Sequence, residues 1–275
     1  MTFLIAASHG TDNSTGAASI ARLVQAVADR VDGHAVLEAF VDVQSPSVTD
    51  VTAALEGDAV VVPLLLSTGY HVRQDIASAA FEAPVEVAIS PALGPDARIS
   101  AVLLRRIQQV GYQPGDALVL TVAGSSDPRA VAECQRVAGE FAAAVNKRFG
   151  ERAAGDVQLA FLSSSQPFVT DAVAAVREAT PERRIIVVTY LLADGYFANK
   201  ARTAGADVTT EPLLSPTEEP ATELVEVIID RFTRALEPAG QTGCVRGMRG
   251  EPWVGCAAGC ASACREAATN AEEAN

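Results

Sequence analysis

The chain has 275 residues, of which 49% are hydrophobic and 20% charged, so it can bury one large core or two ordinary ones. Its formal net charge of −13 is shared by both halves and the C-terminal tail, so no segment offers the basic surface that nucleic acid requires. No apolar run approaches the roughly 18 residues of a membrane span, and the apolar N-terminal segment is too short for a signal peptide. Before residue 244 the only cysteine is Cys134, which is typical of a protein in the reduced cytoplasm.

Short apolar runs alternate with segments of helical periodicity in the first part of the chain. We expect strands over residues 2–7, 35–41, 59–66 and 85–90. Helical spacing follows the first and last of these strands, at Ile20, Leu23, Val24, Val27 and Val31 and at Ile99, Val102, Leu103, Leu104 and Ile107. The strands are nearly continuous apolar runs, which is typical of a parallel sheet covered by helices on both faces. The pattern predicts an α/β fold with a doubly wound parallel sheet.

The second half of the chain repeats the first in three blocks that occur in the same order. Residues 3–12 are matched by 117–127, residues 39–46 by 160–167, and residues 61–71 by 187–197. A repeat of this length indicates a duplicated domain, because solenoid units are only about 20–50 residues long. The turn-rich segment 109–116 separates the two copies. We therefore expect domains over 1–114 and 115–236, followed by a tail over 237–275.

Two of the three histidines, His9 and His71, each follow an apolar strand and lie near a glycine. Ligands of open parallel sheets bind beyond the carboxyl ends of the strands, so the pair is predicted to share one site. Imidazole binds divalent metals when it is neutral and carries protons near neutral pH. The second copy has Ala123 and Phe197 in their places, which predicts a cleft with a single reactive wall. Two unrelated loop histidines are the alternative interpretation.

Three segments carry a resemblance to a known family. They are His9-Gly10-Thr11, the segment 39–48 that contains Asp42, and the segment 63–76 that reads Pro-Leu-Leu-Leu-Ser-Thr-Gly-Tyr-His-Val-Arg-Gln-Asp-Ile. They resemble the sirohydrochlorin chelatases of the CbiX/SirB type, and the resemblance covers about residues 1–236. It implies a chelatase-like fold, in which two duplicated doubly wound parallel-sheet domains face each other across a cleft and a Cys-rich tail follows.

The resemblance also implies an activity. Such proteins are class II, ATP-independent chelatases, lyases that insert Fe²⁺ or Co²⁺ into sirohydrochlorin in sirohaem or cobalamin biosynthesis. It implies that His9 and His71 bind the metal and accept protons, and it places Asp42 where family members often carry a glutamate. Metal insertion removes protons from pyrrole nitrogens, so a neutral histidine suits the base and Asp42 an auxiliary ligand or proton acceptor. Nitrogen and oxygen donors suit both metals, which leaves iron and cobalt equally open.

The substrate needs apolar walls for its macrocycle and cations for its carboxylates. The candidate substrate-binding residues are Gly10, Tyr70, Arg73, Phe197 and Lys200, with Arg129 and Arg202 as further candidate cations. A short segment at the end of the block 117–127, Gly124-Ser-Ser-Asp127, lacks the lysine of a nucleotide-binding loop. We interpret it as a strand-to-helix turn with Asp127 as the N-cap of the helix.

The tail holds four of the five cysteines, at positions Cys244, Cys256, Cys260 and Cys264. Thiols at this density predict a second metal site, for an iron–sulfur cluster or zinc, and helical spacing would place the last three on one face. Metal delivery, redox sensing and an incidental disordered tail are the alternatives. For the whole chain, the alternative to a chelatase is a non-catalytic metal-binding or tetrapyrrole-binding protein such as a chaperone. The sequence leaves the oligomeric state open.

Overall fold

The computed structural model describes residues 2–67, 75–151, 153–155 and 157–236, together with the backbone of 245–247. In the first half the strands are β1 (Phe3–Ser8), β2 (Val36–Phe40), β3 (Ala59–Pro63) and β4 (Val87–Ile89), and the helices are α1 (Ser14–Ala28), α2 (Val48–Ala53), α3 (Asp75–Glu82) and α4 (Ala97–Gln109). In the second half they are β5 (Ala117–Val122), β6 (Gln158–Phe161), β7 (Ile185–Tyr190) and β8 (Val208–Thr209), with α5 (Pro128–Phe149), α6 (Val169–Ala179), α7 (Tyr196–Arg202) and α8 (Thr222–Leu236). A short strand β9 (Val245–Gly247) follows.

Each half builds a parallel sheet of four strands. The order is β2-β1-β3-β4 in the first sheet and β6-β5-β7-β8 in the second, and β9 adds to β4 in antiparallel orientation. Corresponding strands have the same neighbours, so the predicted duplication is present in the topology as well as in the sequence. The structure confirms the predicted α/β fold class. The third strand ends at Pro63, earlier than predicted. Beyond it Leu64 N still donates to the carbonyl of Ala7, but the carbonyl of Leu65 accepts a hydrogen bond from Leu93 N in the loop after β4.

Each sheet has its own apolar core. Every residue of β3, β5 and β7 is buried, which explains why these strands read as continuous apolar runs. Ile5, Val61 and Ile76 belong to one core cluster of the first sheet, and Val119 and Val187 to one of the second. The peptide bonds that precede Pro46, Pro95 and Pro167 are cis. Within the described part of the chain, each helix is too short or too polar to cross a membrane.

The chain forms two compact units that interleave along the sequence. The first unit contains Ala21–Leu93, the residues up to Asp12 and those from Val225 on, and the second contains Asn13–Ile20 and Gly94–Leu224. Helix α4 therefore follows the strands of the first sheet but belongs to the second unit. Most of α8 follows the second sheet but belongs to the first unit. The boundaries of the compact units thus differ from the boundaries of the two copies of the repeat.

An arginine on each of these two helices holds a loop of the unit to which the helix belongs. Arg106 on α4 is buried, and its Nε and Nη2 each donate to a carbonyl of the loop 212–213, both at 2.9 Å. Arg231 on α8 donates in the same way to the carbonyls of the loop 92–93, both at 3.1 Å. Each loop follows the last parallel strand of its sheet. Each unit therefore contains the same contact, in which an arginine on a helix donates to two carbonyls of the loop after the last parallel strand.

Candidate active site

The first candidate residue, His9, directly follows the inner strand β1. Ser8 is the last buried residue of that strand, whereas the side chain of His9 is exposed. Gly10 has φ +87°, a left-handed conformation that glycine adopts without strain. A Cβ atom at Gly10 would overlap the carbonyl oxygen of Asp42, so no other residue fits against this neighbour. The glycine turns the chain away at once and leaves His9 at the carboxyl edge of the sheet.

The second candidate, Asp42, lies in a tight corner after β2, which we call the Asp42 corner (residues 42–45). Asp42 N donates to the carbonyl of His9 at 3.0 Å, so the two residues occupy adjacent backbone positions. Within the corner, Val43 N donates to Asp42 Oδ1 at 2.8 Å and Gln44 N to the Asp42 carbonyl at 2.5 Å. The side chain of Gln44 accepts a hydrogen bond from Thr11 N at 2.8 Å. These bonds fix the corner against the turn that carries His9.

The segment 68–74 lies outside the described residues, and it contains Tyr70, His71 and Arg73. It follows the carboxyl end of β3, which pairs with β1, and precedes α3. The four tail cysteines, Cys244, Cys256, Cys260 and Cys264, also lie outside the described residues. Within the ranges that are described, no three His, Cys, Asp or Glu side chains are grouped as metal ligands. The roles assigned to these residues therefore stay predictions.

The second unit contains two further candidates, Phe197 and Lys200. Phe197 is half-buried and packs against the core of the second sheet. Lys200 Nζ donates to the carbonyl of Leu162 and lies 5.9 Å from the centre of the Phe168 ring. Both side chains thus contact residues of their own unit, and their proposed contacts with substrate stay predictions. The neighbouring Tyr196 is 73% exposed, an aromatic that the sequence analysis missed although it aligns with Tyr70.

The two further candidate cations are paired with carboxylates of the second unit. Arg129 lies 3.3 Å from Asp127, and Arg202 lies 2.6 Å from Asp194 and 3.2 Å from Glu211. An arginine that already faces a carboxylate is a weaker partner for the carboxylates of a ligand. The prediction for Asp127 is confirmed, since its side chain caps α5 by accepting a hydrogen bond from Arg129 N at 2.9 Å.

The second copy contains a corner with the same backbone, the Ser163 corner (residues 163–166). Gly124 has φ +97°, and a Cβ atom there would overlap the carbonyl of Ser163. Ser163 N donates to the carbonyl of Ala123 at 2.9 Å, as Asp42 N does to His9. Ser165 N donates back to the Ser163 carbonyl at 2.6 Å. The close glycine contact and the corner are therefore parts of the scaffold, present in both copies.

The side chains on this shared scaffold differ between the copies. His9, Asp42 and Val43 in the first copy correspond to Ala123, Ser163 and Ser164 in the second. The backbone geometry is kept without the imidazole and the carboxylate, so folding of the corner does not require either. On this scaffold the imidazole and the carboxylate are present in the first copy alone.

Comparison with known proteins agrees with the duplication. The CbiX family model matches residues 3–110 and matches again over residues 117–235. The chain belongs to the CbiX family. The two matches coincide with the two copies of the repeat, so each copy is a CbiX-type domain in sequence. A search of the curated proteins gave no match.

Several solved structures of CbiX-type proteins share the fold. SirB from Bacillus subtilis with Fe³⁺ superposes with a TM-score of 0.67 at 17% identity, over 85% of this chain and 95% of SirB. The sirohydrochlorin chelatase SirB from Bacillus subtilis subspecies spizizenii, in complex with cobalt, gives 0.62 at 18% identity, over 88% and 98% of the two chains. CbiX, the terminal enzyme of sirohaem biosynthesis in denitrifying bacteria, gives 0.59 at 21% identity, over 86% and 100%. These likenesses show a common fold over nearly the whole length of each chain.

Proposed function

We propose that the chain is a sirohydrochlorin chelatase that inserts Fe²⁺ or Co²⁺ into the tetrapyrrole. The observation that carries the proposal is the adjacent placement of His9 and Asp42 at the carboxyl edge of a CbiX-type sheet. The solved structures of similar fold support it, because SirB is described as a sirohydrochlorin chelatase in complex with cobalt, and a second SirB structure contains Fe³⁺. The metal is a substrate in this reaction, together with the tetrapyrrole.

The chemistry requires ligands that exchange and bases that accept the pyrrole protons. A neutral imidazole at His9 offers a lone pair to the metal ion or to a proton. The Asp42 carboxylate has several lone-pair sites, so the hydrogen bond from Val43 N leaves capacity for an ion or a proton. His71 is proposed as the second imidazole of the site. With one residue holding the ion and another receiving protons, insertion needs no energy source beyond the stability of the metal–nitrogen bonds.

Turnover tests this proposal against the non-catalytic alternative. Sirohydrochlorin is mixed with Co²⁺ or Fe²⁺ under anaerobic conditions, and insertion is followed by the absorption change at substoichiometric protein. A chelatase converts many equivalents of tetrapyrrole per chain, at a rate above that of the uncatalysed reaction. A binding protein or chaperone gives at most one equivalent. The same assay ranks the two metals and thereby addresses the choice between sirohaem and cobalamin pathways.

We propose in addition that the tail cysteines bind a metal, as an iron–sulfur cluster or zinc. Support comes from their concentration in the sequence, since four of five cysteines follow residue 243. Reduced thiols of this kind suit the cytoplasm, where we place the protein. The test is anaerobic purification followed by analysis for iron, sulfide and zinc. A variant with serine at all four positions is the control, and a metal-free, colourless full-length chain contradicts the proposal.

A further inference from the structure

Val43 stands out at the Asp42 corner because its side chain and its backbone are both unusual. Among the residues that the structure describes, Val43 and Tyr196 are the exposed large hydrophobic side chains, and Val43 is 56% exposed. Its φ is +58°, in the left-handed region that β-branched residues rarely adopt. Such a conformation is strained for valine, and the isopropyl group, more than half exposed, gains little burial to compensate. Observed strain of this kind points to a function.

The second copy shows that the fold does not need valine at this position. Ser164 occupies the corresponding place with the same φ of +58°, in a corner closed by the corresponding hydrogen bonds. A serine there exposes little apolar surface. The valine of the first copy therefore differs from its counterpart in surface chemistry, while the backbone is the same.

The position of Val43 relates it to the candidate active site. It directly follows Asp42, and its N–H donates to the Asp42 carboxylate at 2.8 Å. The carbonyl of the same aspartate faces Gly10, next to His9. At this corner the valine is present only in the copy that also carries the imidazole and the carboxylate. The three side chains are thus present together in the first copy and replaced together in the second.

We infer that Val43 is a substrate-contact residue, whose isopropyl group packs against the apolar face of the tetrapyrrole macrocycle. This inference rests on the proposed function. A tetrapyrrole has a flat conjugated ring with carboxylates at its rim, so recognition of the ring itself requires apolar contacts. A rigid β-branched side chain beside the metal-binding groups supplies such a contact with little loss of rotamer freedom. The strain at Val43 is then retained because the left-handed corner directs an apolar group toward the ligand.

The test compares Val43→Ser, which installs the residue of the second copy, with Val43→Leu, which keeps an apolar group. Sirohydrochlorin binding without metal is measured by fluorescence titration, and KM and kcat are measured with Co²⁺. For Val43→Ser we expect Kd and KM to rise about tenfold, because apolar contact area is lost, and kcat to stay within about twofold. Val43→Leu should restore most of the affinity. The Tm of Val43→Ser should rise by about 2–4 °C as the strain is relieved.

The reciprocal variant Ser164→Val calibrates the strain, since it places valine on the same backbone in the second copy. Its Tm should fall by a similar amount. Unchanged Kd and KM for Val43→Ser, beside an active wild-type chain, would overturn the inference and leave the proposed function standing. A lower Tm for Val43→Ser would show that the valine serves the fold and would also overturn it. A wild-type chain that binds no sirohydrochlorin overturns both.

Discussion

His9 and His34 show how differently two histidines of one unit are used. His9 is exposed after β1, beside the Asp42 corner. The second copy forms the same corner with Ala123 in place of the histidine. His34 is half-buried, with Nδ1 at 2.8 Å from the Thr2 carbonyl and its ring edge-on to Phe232 at 5.0 Å. The side chain of His9 thus meets solvent, whereas that of His34 contributes to packing.

Alanine substitutions at these two histidines should therefore have opposite effects. His9→Ala should lower turnover by well over tenfold with little change in the free energy of unfolding. His34→Ala should leave turnover near wild type and lower the free energy of unfolding by about 1–2 kcal/mol, because it loses a hydrogen bond and a ring contact. Insertion rates and urea unfolding curves measure both. If His9→Ala keeps a near wild-type rate, the candidate site is wrong. In the His9→Ala/His71→Ala double variant, a loss no larger than the worse single one is expected of groups that act together.

Thr121 and Thr189 are register partners on β5 and β7, and they form a second matched pair. The Thr189 hydroxyl donates to the Thr210 carbonyl at 3.0 Å, whereas the buried hydroxyl of Thr121 has no hydrogen-bond partner within the described chain. A buried hydroxyl without a partner loses its hydration uncompensated. Thr121→Val should thus raise the free energy of unfolding by about 1 kcal/mol, and Thr189→Val should lower it by about 1–2 kcal/mol. Equal effects of the two substitutions in denaturant unfolding would refute this assignment.

Cys134 on α5 is a buried thiol whose chemistry is suppressed by its surroundings. Burial, with a smaller contribution from the charge of Glu133, raises its pKa to about 11. Since the thiolate is the reactive form, a disulfide reagent at pH 8 should modify the native thiol at least about a hundredfold more slowly than the unfolded one. A chain ending at Leu236 isolates this cysteine for the measurement. Comparable rates with and without denaturant would contradict the assigned burial. Because the folded state holds the proton more tightly, stability should fall as the pH rises from about 9 toward about 11.

At the scale of elements, Arg105 and Arg106 are neighbours on α4 with different tasks. Arg106 is buried and donates to two backbone carbonyls, to Gln109 at 2.9 Å and to Glu218 at 2.5 Å. Arg105 is 44% exposed and pairs with Glu223, a hydrogen bond that lowers the pKa of that carboxyl. Arg106→Met leaves buried carbonyls without donors and should lower the free energy of unfolding by about 2–4 kcal/mol. Arg105→Met should lower it by less than about 1 kcal/mol. Chemical denaturation of both variants gives the comparison, and similar losses would show that Arg106 does not hold the loop 212–213.

The elements that the sequence predicted well are those whose signal is local. Continuous apolar runs revealed the buried strands, and the cap at Asp127 followed from its place before a helix. The exchange of α4 and α8 between the units was not predictable in this way. An amphipathic helix records that one face is buried, but its pattern does not record which sheet covers that face. The left-handed φ of Val43 was missed for a related reason, because a valine in sequence favours extended backbone and only the surrounding corner imposes another conformation.

The candidate site was predictable in part from comparison of the two copies. The place of His9 after a strand and its loss in the second copy predict it as a site residue, whereas Asp42 is predicted from the family resemblance. In the structure Asp42 N donates to the carbonyl of His9. Phe197 is predicted as a cleft residue because it takes the place of His71, and its neighbour Tyr196 is the more exposed aromatic of the two. The exposure of a helical side chain depends on which side of the helix packs against the core. A helix as short as α7 has too few turns for the sequence periodicity to indicate that side.

At the scale of the whole molecule, the two compact units predict different outcomes for two C-terminal truncations. The first unit, which carries His9, includes most of α8, where Phe232 is 2% exposed and Arg231 holds the loop 92–93. A chain ending at Leu236 keeps this helix and loses the tail with the short edge strand β9. It should fold and insert metal at a rate near that of the full chain, since a three-residue edge strand contributes little pairing.

A chain ending at Ala221 loses α8 and should lose the first unit with it. Removal of each large buried side chain costs about 1.5–3 kcal/mol, and several such residues lie on this helix, which exceeds the stability of an ordinary domain. The second unit keeps α4 and the hydrogen bonds of Arg106 to the loop 212–213, so it should stay folded. Hydrogen exchange should therefore show protection lost over β1 to β4 and retained over β5 to β8, with no metal insertion. Uniform protection in the chain that ends at Ala221 would contradict this prediction, as would uniform loss of protection in both truncated chains. Either result would show that α8 is not required for the first unit or that α4 does not suffice for the second.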